Sequence, residues 1–276
     1  MNGRPIVVGI DGTAAARRAV WWGVDEAVKR RAPLLLIHGY GVPDAFYGEE
    51  VPPAEWLADK EKQSHDWLAE ALEIANRANP ALEVSTRSFL DAPIPMLIGE
   101  SESAGMIVLG STTRSLLGEL VMGSTAISLA AHARCPVAVV RGRDRRLIGE
   151  DEPVVVGVDG SSLSDAAIAL AFEEASLRGV PLITVRAHGG WERPPEADQE
   201  SVTAWRERYP EVPLRRVVAR DDPRQLLLDW TGRAQLVVVG SRGRGGFRGL
   251  LLGSTSHAMI HHTDCPVLVA RSGTKS

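Results

Sequence analysis

The feature that most constrains this chain is that it is written twice. VVGIDGT at residues 7–13 returns as VVGVDGS at 155–161, an offset of 148, and Pro33 returns as Pro181 at the same offset. Further on, Pro93 pairs with Pro223, Gly110 with Gly240, Gly123 with Gly253, and CPV at 135–137 with CPV at 265–267, all at an offset of 130. The second copy therefore lacks 18 residues between Gly39 and Pro93. The stretch it lacks includes Tyr40 to Gly48 and the Pro52–Pro53 region, whose Gly, Pro and acidic residues predict a surface loop leading into a helix. Two domains of similar size follow, residues 1–147 and 148–276, with the seam in the charged stretch from Arg141 to Pro153.

Each copy alternates strands with helices. Compact apolar runs at Ile6–Ile10, Leu34–Ile37, Val154–Val158 and Leu182–Val185 have the character of fully buried parallel strands. Between the first two lies a helix from Ala14 to Arg31, with Val20, Val24, Ala27 and Val28 on one face and basic residues in its last turn. In the second copy Gly179 stops the equivalent helix. Third strands are expected at Leu82–Phe89 and Val212–Ala219, fourth at Met106–Leu109 and Leu236–Val239, and fifth at Val137–Val140 and Val267–Ala270. This pattern predicts an α/β chain of two tandem Rossmann-like domains, each a five-stranded parallel sheet wound by helices on both faces.

In such sheets ligands sit beyond the C-terminal ends of the strands, where the strand order reverses. Two loops carry distinctive chemistry there. One is Asp11–Gly12 or Asp159–Gly160 after strand one. The other follows strand four and reads Gly240, two residues, Gly243, nine residues, Gly253–Ser254, with a degraded copy from Gly110 to Ser124. If both flank one crevice, strands one and four are neighbours and the order is 3-2-1-4-5. Glycines let backbone N–H groups approach an anion, and the helix that follows adds orphan donors and a positive dipole end. The aspartates suit an exocyclic amine or a ribose hydroxyl; equally, each could serve only to cap the helix that follows.

These residues resemble the universal stress protein family in its tandem, ATP-binding form, over Val7–Val140 and Val155–Ala270. By that resemblance Asp159 contacts adenosine, while Gly240 and Gly243 let the backbone reach ribose and phosphates. Gly253, Ser254 and Thr255 hold phosphate oxygens at a helix N-terminus, and Ala187 packs on adenine. The matching residues of the first copy are Asp11, Gly39, Gly110, Thr113, Gly123, Ser124 and Thr125. Thr113 departs from the family glycine. If that position needs a positive φ, a β-branched residue there costs about 1–3 kcal/mol, roughly a 5- to 150-fold loss of affinity. The second site is thus expected to bind ATP, with or without magnesium, more tightly than the first. The resemblance also implies association through the fifth strands, making the chain an intramolecular pseudo-dimer that could itself form a homodimer.

Rival chemistries fit less well. No Gly-Lys pair exists for a P-loop, and a dinucleotide fingerprint would need Gly or Ala where Arg248 stands. His257, His261 and His262 have no carboxylate or cysteine in a matching frame and read as helix-end residues, not metal ligands. Arg242 and Arg244 lie where they could screen phosphates, and Ser161 and Ser162 read as caps. Of the adjacent Trp21 and Trp22, one should pack on the sheet and the other lie at a domain or subunit contact. The two cysteines, each before Pro-Val, read as buried thiols.

A net charge of −4 and 44% hydrophobic residues argue for a soluble, cytoplasmic chain without a nucleic-acid partner, and no apolar stretch approaches a membrane span. The expected function is a nucleotide-dependent stress-response regulator, acting through an unidentified protein partner and without a catalytic residue. The alternatives are a slow ATPase, for which Asp11 and Asp159, assigned to the nucleoside end, are badly placed, and a non-nucleotide interaction module in which both pockets are vestigial.

Overall fold

The computed structural model describes residues 3–41, 52–111, 124–141, 151–188, 197–243 and 251–271. They form two compact units, Met1–Ser111 and Thr112–Ser276. The first contains β1 (Ile6–Gly9), α1 (Ala14–Arg30), β2 (Leu34–Gly39), α2 (Ala54–Ala78), β3 (Val84–Phe89), α3 (Pro93–Glu100) and β4 (Met106–Gly110). Its strands pair in parallel in the order β3-β2-β1-β4, with Ile6 of β1 opposite Leu34 on one side and Met106 on the other. Val8 and Gly9 show how both faces are covered: Val8 lies against Gly23 of α1, and Gly9 against Leu97 of α3.

The second unit contains α4 (Ser124–His132), β5 (Val137–Val140), β6 (Val154–Gly157), α5 (Ser162–Arg178), β7 (Leu182–Ala187), α6 (Ala197–Arg208), β8 (Leu214–Ala219), α7 (Pro223–Thr231), β9 (Leu236–Gly240), α8 (Ser254–His262) and β10 (Val267–Ala270). Strands β8-β7-β6-β9-β10 are parallel and realise the order 3-2-1-4-5 in full. Strand β5, the fifth strand of the first repeat, lies antiparallel beside β10, with Val139 opposite Val267. The two fifth strands are therefore hydrogen-bonded to each other, as the resemblance implied.

The strand runs are apolar because nearly all of them are buried on both faces: every residue of β5 and β10 is buried, as are Ile6–Val8 and Val154–Val156. Strands β3 and β8 occupy outer positions and carry consecutive exposed polar residues, Ser85, Thr86 and Arg87 in β3 and Arg215 and Arg216 in β8. Charges on an edge strand discourage pairing with another chain.

Arginines close the seam between β5 and β10. Arg141, at the end of β5 and buried, donates from Nη1 to the carbonyl of Ile260 in α8 at 2.5 Å. Arg271, just after β10, donates to the carbonyls of Ala133 and Ala130, each at 2.9 Å. Ala130 and Ile260 are equivalent at the 130-residue offset. Each repeat's last helix thus has a C-terminal carbonyl satisfied by the arginine that ends the other repeat's last strand, a charge-assisted bond worth about 1.5–3 kcal/mol.

Helix α1 begins at the N-cap Thr13, whose hydroxyl accepts from Ala16 N–H at 3.1 Å, and α5 begins likewise at Ser161, which accepts from Ser164 N–H at 3.2 Å. Gly179 closes α5 in the left-handed region (φ 67°), and Arg31 takes the same conformation at the end of α1 (φ 52°). Val20, Val24 and Ala27 are buried as expected, but Val28 is 43% exposed. It lies about 80° around the helix from Val20, beyond the edge of the buried stripe. Trp22 packs inward and Trp21 is exposed. Glu26–Arg30 and its repeat Glu174–Arg178 are i,i+4 ion pairs whose carboxylates are fully buried. Much of the length missing from the second copy is helix: α2 has 25 residues and α6 has 12.

Candidate functional site

In the second repeat, β6 ends and the chain turns through Asp159 and Gly160, which has φ 76°. Asp159 Oδ1 accepts from Ser161 N–H at 3.0 Å, and the Asp159 N–H donates to Ser164 Oγ at 3.2 Å. The aspartate is therefore not the N-cap; that role falls to Ser161. Its carboxylate braces the turn through one oxygen, while the other faces the loop after β9.

That loop leaves β9 at Gly240. The N–H of Ser241, which is buried, donates to the Ala270 carbonyl at 3.2 Å, and the Ser241 carbonyl accepts from Gly253 N–H at 2.8 Å. The two ends of the loop are thus tied together. Ser256 Oγ donates to the Gly240 carbonyl at 2.5 Å and pins the first turn of α8 to the strand end. A Cβ on Gly253 would come within 3.3 Å of Arg242 Cα, and a Cβ on Gly243 would run into Asp159 Oδ2. The strand-one aspartate and the strand-four loop therefore meet, with no room for a side chain at the point of contact.

Gly243 corrects one expectation. Its φ is not positive; the positive-φ glycines among the described residues are Gly12, Gly160 and Gly179. A side chain at position 243 is excluded by the Asp159 carboxylate, not by backbone conformation. The strain argument against Thr113 therefore has no counterpart at Gly243, and Thr113 itself lies outside the described residues, as do Gly123, Arg244 and Arg248.

Helix α8 starts with Gly253 as N-cap and without a side-chain hydrogen bond to its first turn. Helices leave their first N–H groups without intrahelical partners, so Ser254 and Thr255 present donors and hydroxyls at a positive dipole end. Arg242 is exposed beside this turn, and Ala187 ends β7 half-buried. A carboxylate acceptor, the glycine at position 243 and a helix N-terminus thus stand beyond the strand ends. Such a set can accept from an amine or hydroxyl at one end and donate to an anion at the other.

The first repeat reproduces the turn. Gly12 has φ 74°, and Asp11 Oδ1 accepts from Thr13 N–H at 3.0 Å and from Thr13 Oγ1 at 2.6 Å. Gly39 is hemmed in, since a Cβ there would lie 2.9 Å from the Asp91 carbonyl and 3.1 Å from Met96 Sδ. Gly110 lies against the backbone of Ala15 and Ala16, which a Cβ would overlap. Ser124 and Thr125 open α4.

Sequence reasoning did not find the aromatic group beside this turn. Trp67 of α2 lies over Gly12 and packs edge-on against His38 with ring centroids 5.1 Å apart; His38 in turn stacks on Tyr40. His38 Nδ1 is 2.8 Å from Ser64 Oγ, which is 2.6 Å from Ser88 Oγ. Burial holds the His38 pKa below its ordinary value; Asp11 raises it and Lys60 lowers it further. In the second unit His257 and His261 have centroids 4.5 Å apart, and burial, then His257, Arg141 and His262, depress His261. Both cysteines are buried thiols, and burial pushes the Cys265 thiol up to about 12.

The universal stress protein family pattern matches residues 3–141 and again 152–271. The universal stress protein Rv2005c of Mycobacterium tuberculosis is 39% identical over 284 residues, covering 96% of each chain. A second protein of that organism, the universal stress protein Rv2623, is 37% identical with the same coverage. A solved universal stress protein from Archaeoglobus fulgidus shares the fold with a TM-score of 0.78 at 17% identity, covering 99% of this chain and 97% of its own. With two matches of the family pattern covering most of its length, and relatives of that name aligned nearly end to end, the chain belongs to the universal stress protein family in its tandem-domain form.

Proposed function

We propose that this protein is an adenine-nucleotide-binding regulator whose stronger site lies in the second repeat, with ATP as the principal ligand. The observation that carries this reading is the contact of Gly243 with the Asp159 carboxylate. It brings the acceptor suited to a nucleoside beside the loop and helix N-terminus suited to phosphates. In this reading Asp159 and the backbone of Ala187 hold the nucleoside. Gly240, Arg242 and Gly243 flank the ribose and first phosphates, and Gly253, Ser254 and Thr255 donate to phosphate oxygens. The residues suit such a guest, because two glycines keep the cradle free of side chains and the first turn of α8 has no side-chain cap. Magnesium, where present, enters with the nucleotide. The first repeat, with Asp11, Gly39, Gly110, Thr113, Gly123, Ser124 and Thr125, is the weaker site.

Asp159 stands at the nucleoside end and does not orient water at a terminal phosphate, so the nucleotide acts as a ligand that favours one conformation or partner surface. We further propose residues 1–147 and 148–276 as the two functional domains, with β5 and β10 as their shared seam. Among the described residues no helix is long and apolar enough to cross a membrane.

Calorimetric titration of nucleotide-stripped protein with ATP and magnesium, repeated with AMP, tests the proposal. One tight site per chain that is lost in Asp159→Ala is the expected result. Absence of binding heat at several temperatures, with equilibrium dialysis agreeing, would overturn it.

A further inference from the structure

The turn that presents Asp11 is gripped from behind by residues that the second repeat does not have at the equivalent sequence positions. The ring of Trp67, carried on α2, occupies the space a Cβ on Gly12 would fill. Arg17 Nη1 reaches the Gly12 carbonyl at 3.3 Å and Glu70 Oε1 at 3.2 Å, so α1 and α2 both hold the same peptide. Ile10, Thr13, Ala16, Val20 and Ala71 line the narrow crevice around the indole.

At equivalent positions the second repeat has Ala197 for Trp67 and Asp165 for Arg17. Asp165 cannot donate to a carbonyl. The Arg17–Glu70 pair is about half exposed, so the ion pair itself contributes little. The indole is the principal element, because a large ring packed on a glycine with positive φ blocks the turn from relaxing.

We propose that Trp67 is a positioning residue that fixes the Asp11–Gly12 turn of the first repeat, and with it the direction of the Asp11 carboxylate. The purpose assigned to that carboxylate rests on the nucleotide-binding reading. The mechanical role does not, and the two can be tested apart.

The Thr13 amide donates to Asp11 Oδ1 and the Ser161 amide to Asp159 Oδ1, so amide exchange at these residues reports the same bond in the two repeats. Exchange should be slower at Thr13 than at Ser161 in the full-length wild type. Trp67→Ala should accelerate Thr13 by about tenfold with Ser161 unchanged, and Trp67→Phe, which keeps a ring, by about threefold. The phenylalanine variant carries the test if the alanine variant does not fold. Unchanged Thr13 exchange, or acceleration spread evenly over the chain as for a general stabilising contact, would overturn the proposal. ATP titration of the same samples separates the two claims. Local loosening at Thr13 in a protein that binds no ATP upholds the clamp and overturns the nucleotide reading. ATP bound with Thr13 undisturbed upholds the nucleotide reading and overturns the clamp.

Discussion

The Asp11–Gly12 and Asp159–Gly160 turns are alike in backbone and unlike in support. Both glycines sit near φ 75°, and both aspartates accept from the amide two residues on at 3.0 Å. Around the first are an indole, a guanidinium and a buried histidine; among the described residues, Ser164 and the backbone of Gly243 stand beside the second. Short-range hydrogen bonds set the turn in each repeat, while the surroundings, drawn from distant segments, have diverged. Among the described residues, the first turn is backed by Trp67, and the second is met by the loop glycine Gly243.

Alanine at the two turn glycines should break this likeness most sharply. Gly160→Ala incurs the left-handed backbone penalty, about 1–2 kcal/mol. Gly12→Ala adds overlap with the Trp67 ring and should cost about 2–4 kcal/mol in all. Chemical denaturation of both variants would reveal the difference, and adding Trp67→Ala should narrow the gap. The same cost for Gly12→Ala in the wild-type and Trp67→Ala backgrounds would mean that the indole gives way freely.

Copying the first repeat's departure into the second comes next in size. Gly243→Thr should push the Asp159 carboxylate aside and weaken ATP binding about 10- to 100-fold, as should Asp159→Ala, because a hydrogen bond to a charged group is worth about 1.5–3 kcal/mol. Since both changes act on one carboxylate, the double variant should be little worse than either single one. Fully additive losses in calorimetry would place the Gly243 effect elsewhere.

Arg31 and Gly179 offer a smaller test. Both end their helices in the left-handed region, which costs a non-glycine residue about 1–2 kcal/mol, part of it offset by the greater unfolded-state freedom of glycine. Arg31→Gly should therefore raise stability by about 0.5–1 kcal/mol, and Gly179→Arg should lower it similarly, read from denaturation midpoints. Destabilisation by Arg31→Gly would show that the arginine makes a compensating contact.

The smallest effect is in pH. His38 is held below its ordinary 6.5, chiefly by burial, whereas the second repeat has a buried arginine, Arg186, at the equivalent position. Because the folded state binds this proton less readily, the His38 contribution is complete above the unfolded value of about 6.5 and is lost as pH falls from there through the lower folded value. His38→Gln should flatten the decline in stability between pH 7 and 5 without abolishing it, since His261 is depressed too. An identical slope in the variant would remove His38 from the account.

The repeat, the strand order and the caps were legible because each rests on short-range pattern: a buried parallel strand needs an apolar run, and a helix needs its start and stop. Val28 shows where such pattern thins out, since a residue at the margin of an apolar stripe falls in or out according to what packs beside it. Gly243 shows a different loss. Positive φ and close approach both select glycine, and the letter alone does not say which applies. Trp67 gave no periodic cue at all, because its partner is a turn 55 residues earlier; the available signal was its absence at Ala197.

The exchanged arginine caps bear on any attempt to divide this protein. A fragment ending at the repeat boundary would carry β5 without β10, leaving a short, wholly apolar strand edge without that partner, and its last helix would lose the guanidinium that Arg271 lends to the carbonyls of Ala130 and Ala133. The complementary fragment would expose the edge of β10 and leave the Ile260 carbonyl without Arg141. Each half would be adhesive toward the other and toward itself, so co-expressed halves should reassemble, whereas a half made alone should precipitate or pair with its own copy.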